Sequence, residues 1–178
     1  MPVQEAAPRT EPARRAWRPR PRVRKTLLLV HVVASVALVG SVWGLVLLNL
    51  TATLTTDAAL VEPAYRLMTV LAFGGGIPLS FISLASGIAL GIGSKWGVLR
   101  HWWVLAKLLL LIATIVFGAV LGQPEAMAEA ASGGDLPTAA RRWREVAVVA
   151  AQLAMLLTAT GLSVFKPRGR VRWPRRRS

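Results

Sequence analysis

The chain has 178 residues, 54% of them hydrophobic and only 17% charged, with a mean hydropathy of +0.51. The charged share lies well below the roughly one quarter of a soluble domain, yet the net charge is +14, from 22 Lys and Arg against 8 Asp and Glu. Charge and hydrophobicity of this degree coexist when they occupy separate regions, and the lack of any cysteine excludes disulfides, thiolate metal sites and thiol catalysis.

Residues 1–25 are the first charged region, a Pro- and Arg-rich tail with Arg9, Arg14, Arg15, Arg18, Arg20, Arg22, Arg24 and Lys25. Such a composition predicts disorder. Basic residues near a membrane gain about 1 kcal/mol each from anionic headgroups, which makes anionic lipid the expected partner. The tail after Lys166, "KPRGRVRWPRRRS", reads the same way. Trp17 and Trp173 interleave the two basic runs, but no RNA- or DNA-binding module accompanies them, so no nucleic-acid partner is expected.

Four apolar segments lie between the tails, at about Thr26–Leu50, Leu67–Ile92, Trp102–Leu121 and Val146–Phe165. A helix rising about 1.5 Å per residue needs roughly 20 apolar residues to cross a hydrocarbon core about 30 Å thick. Each segment reaches that length without an Asp or Glu, and none alternates as a membrane strand would. The expected fold is an all-α integral membrane bundle of four helices over residues 26–165. The first segment exceeds the roughly 7–15 apolar residues of a signal sequence, so it is expected to be retained.

In the second segment, "FGGGIP" sets Gly74, Gly75 and Gly76 before Pro78. In a membrane, neighbouring helices can satisfy the backbone groups that these residues free, which predicts a kink or a short unwound stretch. Small residues also recur every fourth position, at Gly40 and Gly44, at Ser83, Gly87 and Gly91, and at Thr114, Gly118 and Gly122. In the last segment Ala147 and Ala151, and Ala150 and Ala154, repeat the spacing. That spacing lines one helix face and permits close backbone approach, within the chain or in a homo-oligomer.

The third segment opens with "GVLRHWWVLAKLLL". Trp102 and Trp103 are placed for an interfacial aromatic belt, while Arg100, Trp103 and Lys107 share a helix face. Lys107 is about 8 Å past Trp102 along the axis, near enough for its amine to snorkel to the headgroups. These four residues are the candidate lipid anchor. A pocket for phosphate or another anion is the sharper alternative.

The link to the fourth segment, "GQPEAMAEAASGGDLPTAARRWREV", predicts a short helix over 125–131, a turn at "SGGD" and an approach to the last helix at Pro137–Thr138. It presents no nucleophile, base and orienter at recognisable spacing, and its charges read as solvated surface. No enzymatic activity is expected. With no carboxylate in the apolar segments, a carboxylate proton relay is also excluded.

The charges orient the chain. Seven Lys and Arg follow from Lys166, and the link between segments two and three adds Lys95, Arg100 and Lys107. The other two links hold only Arg66, Arg141, Arg142 and Arg144, together with Asp57, Glu62, Glu125, Glu129, Asp135 and Glu145. Cytoplasmic loops attract Lys and Arg, so both termini are expected inside, in a bacterial plasma membrane.

His31 and His101 are the only histidines, and both fall on the cytoplasmic side. Two such imidazoles can hold a haem between helices, although these two differ in depth. The bland role of His31 is a neutral ring bonded to a serine, such as Ser35 one turn on, or to a backbone carbonyl. Copper has little to bind, since Met1, Met68, Met127 and Met155 are scattered. Gln152 is placed to hydrogen-bond between helices.

"RKTLLLVHVVASV", "SKWGVLRHWWVLAKLLL" and "LSVFKPRG" resemble a group of actinobacterial integral membrane proteins with a domain of unknown function. They are more distantly similar to the membrane domain of the copper-resistance D proteins, which also carry a histidine early in a helix. The resemblance runs over residues 23–169 and implies a four-helix plasma-membrane protein with no assigned activity. The leading expectation is therefore a membrane scaffold or interaction protein that contacts anionic lipid. A haem-binding or electron-transfer protein using His31 and His101, and a small transport accessory with a broken second helix, are the alternatives.

Overall fold

The computed structural model describes residues 20–93, 102–133 and 137–165. Among them every regular element is helical, and four stretches are long and apolar enough to cross a membrane: Pro21–Leu54, Ala59–Ile92, Trp102–Ser132 and Ala139–Phe165.

α1 (Pro21–Leu54) begins where a proline suits the first turn, because its missing N–H would have no helical partner there. It therefore takes in Arg22, Arg24 and Lys25, which composition assigns to a disordered tail. α2 (Ala58–Leu71) starts at an Asp57 cap whose carboxylate accepts the Ala59 N–H at 2.9 Å. It thus begins well before Leu67. Its early turns carry the Glu62–Arg66 ion pair at 2.8 Å, and hydropathy alone does not register such polar turns as helix.

The glycine run does not unwind. Residues Ala72–Gly76 form a π-helical turn, in which the Ile77 N–H reaches the Ala72 carbonyl. Pro78 has no N–H to give to the helix ladder, and one wider turn absorbs the mismatch before α3 (Ile77–Ile92) continues. α4 (Trp102–Leu121) and the short α5 (Pro124–Ser132) follow.

α6 (Ala139–Phe165) starts one residue after Thr138, whose hydroxyl accepts the Arg141 N–H at 3.4 Å and whose carbonyl accepts the Arg142 N–H at 3.0 Å. The helix thus begins ahead of Val146, because its first two turns are too charged for an apolar window to include. One consequence reverses an expectation. Glu145 lies within this membrane-length helix and is only 4% exposed, so it is not solvated surface.

α1 is the spine, packed against α2, α3 and α6. α4 leans mainly on α6, and α5 folds back onto α2. Among the described residues, the backbones of α2 and α6 each approach α1 but not one another. The apolar core gathers Leu38, Val42, Leu45, Met68, Met127 and Leu153. Most other large apolar side chains face outward, as expected of helices solvated by lipid.

Two buried polar clusters

The end of the bundle at which α1 begins is held by a hydrogen-bonded seam between α1 and α3. His31 Nδ1 lies 3.1 Å from the Ser83 carbonyl and 3.1 Å from the Ser86 hydroxyl. A carbonyl only accepts, so Nδ1 carries the proton and donates. The Ser86 hydroxyl donates to the Ile82 carbonyl at 2.6 Å, and the Ser35 and Ser83 hydroxyls pair at 2.8 Å. His31 is thus bonded to α3, and Ser35 takes Ser83 as its own partner.

Gly87 makes room for this ring. A Cβ there would stand 3.0 Å from His31 Cε1, tighter than ordinary van der Waals contact. The other small residues divide by position. A Cβ at Gly44 would meet Leu71 Cδ2 at 3.1 Å, and one at Gly118 would meet Gln152 Nε2 at 2.7 Å. Gly40 is exposed, with nothing within 4 Å, so it belongs to no seam among the described residues. Gly122 lies just past the end of α4. A Cβ there would stand 2.8 Å from the Gly118 carbonyl oxygen, a neighbour on the same stretch of backbone rather than on another helix.

Gln152 crosses from α6 to α4, donating to the Thr114 carbonyl at 3.0 Å. Ala147, Ala150 and Ala154 are exposed. Trp102 is exposed, while Trp103 is half-buried beneath the Lys107 amine, which stands 4.6 Å from the ring centroid. That amine also donates to Ser163 Oγ at 3.1 Å, so Lys107 links α4 to α6. It lies within electrostatic reach of His31. Arg100 and His101 fall outside the described residues, and Gly91 does hydrogen-bond or otherwise engage a neighbour.

The opposite end, where α1 turns into α2, holds the second cluster. Asn49 and Thr53 lie one turn apart on α1, Tyr65 comes from α2, and Arg142 and Glu145 share a face of α6. Their depths match: Tyr65 and Glu145 are roughly 9–11 Å into their helices from this end. The Tyr65 hydroxyl lies beside Thr53 and within the fields of Arg142 and Glu145.

Yet one polar atom of each residue has no hydrogen-bond partner and is shut off from solvent: Asn49 Oδ1, Thr53 Oγ1, Tyr65 OH, Arg142 Nε and Glu145 Oε1. Arg144 Nη2 is 3.9 Å from Glu145 Oε1, close enough for an ion pair but too long for a hydrogen bond. The other carboxylate oxygen accepts the Gln123 N–H at 3.3 Å, tying α6 to the residue just before α5. A buried polar atom left unpaired costs about 1–3 kcal/mol, so five in one place require a reason.

None of these five residues stands out as a site in the sequence. A periodic signal is present nonetheless. The buried stripe of α6 runs through Val148, Val149, Gln152, Leu153 and Leu156, and Glu145 continues it one turn earlier. Among the described residues, no three His, Asp or Glu side chains converge as metal ligands would.

Comparison with family models, with curated proteins and with solved structures gives no match. The kinship suggested by the three stretches quoted above therefore rests on those stretches alone.

Proposed function

We propose that this multi-pass protein resides in the plasma membrane with both tails cytoplasmic. There it acts as a non-enzymatic scaffold or interaction protein that gathers anionic lipid at its basic inner face. The observation that carries this reading is the length of α1. Its 34 residues extend about 51 Å, some 20 Å more than a hydrocarbon core, and the excess begins with Arg22, Arg24 and Lys25. All three are exposed. A rigid helical extension holds its charges at headgroup level, where a disordered tail would spread them. Trp102 and Trp103 place an aromatic pair at the same end.

Two measurements test it. Replacing Arg22, Arg24 and Lys25 with glutamine should cut retention of anionic lipid in native mass spectrometry while leaving insertion intact. Unchanged retention would remove the lipid role. Because the chain has no cysteine, Asp57→Cys should react with an impermeant maleimide in intact cells and Arg176→Cys should not. The reverse labelling would overturn the orientation.

A haem reading draws on one feature of His31. A ring whose Nδ1 donates to a carbonyl keeps Nε2 as a lone-pair donor, the usual posture of an imidazole ligand. The second ligand would be His101. A stoichiometric Soret band lost in both His31→Ala and His101→Ala would establish it. A spectrum without one would retire it.

A further inference from the structure

We infer that the cluster of Asn49, Thr53, Tyr65, Arg142 and Glu145 is the closed form of a binding site for a small zwitterion, a solute carrying both a carboxylate and an ammonium group. Three observations lead there. The site lies between α2 and α6, whose backbones both approach α1 but not each other, and Tyr65 stands there beside Thr53 and within the fields of Arg142 and Glu145. Asn49, Tyr65 and Glu145 are each at least nine-tenths buried, and each leaves a polar atom without a hydrogen bond, that of Glu145 having only the 3.9 Å contact to Arg144. The unpartnered set is also bipolar: Arg142 Nε can only donate, Asn49 Oδ1 and an ionised Glu145 Oε1 can only accept, and the two hydroxyls serve either role.

That mixture selects the ligand. An anion would satisfy Arg142 and the hydroxyls and leave Glu145 and Asn49 facing its charge. A cation would do the reverse and sit against the guanidinium. A zwitterion answers both halves, with its carboxylate toward Arg142, Tyr65 and Thr53 and its ammonium toward Glu145 and Asn49. Such matching is how buried polar sites reject partial mimics.

The lid follows from connectivity. α5 packs on α2 at this end, seated by its own fully buried Met127. The Glu145–Gln123 hydrogen bond holds the segment just before α5 against α6. An ammonium at Oε1 turns the carboxylate whose other oxygen, Oε2, holds that tie, so binding and lifting of α5 are linked.

The test uses the full chain in nanodiscs. Thr53→Cys supplies a single thiol at the site, and methyl methanethiosulfonate is a reagent small enough to enter when α5 lifts. Glycine at millimolar concentration should slow its reaction about tenfold, whereas acetate or methylammonium alone should slow it less than about twofold. Arg142→Gln or Glu145→Gln in the same background should abolish the protection. Should Thr53→Cys fail to fold, the thermal shift produced by glycine on the unmodified chain, and its loss in Tyr65→Phe, provides the same readout. No effect of any probe would mean that the cluster is sealed or holds only water, and would overturn the proposal. Protection by acetate or by methylammonium equal to that by glycine would overturn the zwitterion assignment.

Discussion

At the end where α1 begins, His31, Ser35, Ser83 and Ser86 answer one another across α1 and α3, with bonds of 2.8–3.1 Å between the helices. At the loop end, Tyr65 stands beside Thr53 and within the fields of Arg142 and Glu145, Asn49 lies one turn along α1, and each of the five has one polar atom left over. Both clusters are polar groups inside a helical bundle, yet they do opposite things to stability. The first converts buried polarity into a specific register for two helices, because a slip of one residue would strand every partner. The second lowers the stability of the closed form, and buried polar strain of that kind concentrates where a protein binds something.

Substitutions separate the two ends. The largest effect is expected at Gly87, where leucine must push the His31 ring out of the seam. Gly87→Leu should cost about 3 kcal/mol or abolish folded yield, read by thermal unfolding in detergent. A normal melting temperature would show that α1 and α3 do not meet at this seam.

His31→Ala should follow at about 2 kcal/mol, from the lost ring packing and the lost donor to Ser83. Tyr65→Phe makes the opposite test at the other end. It deletes a hydroxyl that stands beside Thr53 without a well-formed hydrogen bond, so ligand-free stability should change by no more than about 0.5 kcal/mol, or rise. A loss as large as that of His31→Ala would mean that Tyr65 is a structural residue, and the contrast between the ends would collapse.

Gly118→Ala should cost about 1 kcal/mol, because its methyl group would press on the Gln152 amide that bonds Thr114. The smallest change is expected at Gly40. Gly40→Ala faces open space and should be neutral or stabilising by up to about 1 kcal/mol, as for any exposed glycine in a helix interior. A large loss at Gly40 would point to a second chain packed on that face.

The spacing of four that selects Gly40 also selects Gly87, and only the structure tells them apart. Periodicity fixes which residues share a face, but not which face meets a neighbour. The same limit applies to His31. A lone histidine near a serine is legible as a structural residue, but its partners come from α3, some fifty positions away, and no local pattern names them.

What the sequence determined by itself is what depends on the bilayer: four apolar stretches of spanning length, an all-helical class, and the segregation of basic from acidic links. Hydrocarbon demands that backbone groups be satisfied within a segment, so each span announces itself locally. Helix ends were less legible, because capping by Asp57 and Thr138, and charged first turns, extend helices beyond the apolar window. Only the tertiary structure decided the fate of Glu145. Read alone, it closes a charged loop; on α6 it completes a buried stripe and faces Tyr65. The physical reason is that burial of a polar side chain is settled by what packs across from it, and α6 meets at the loop end a helix pair, α1 and α2, that lies some seventy or more positions earlier in the chain.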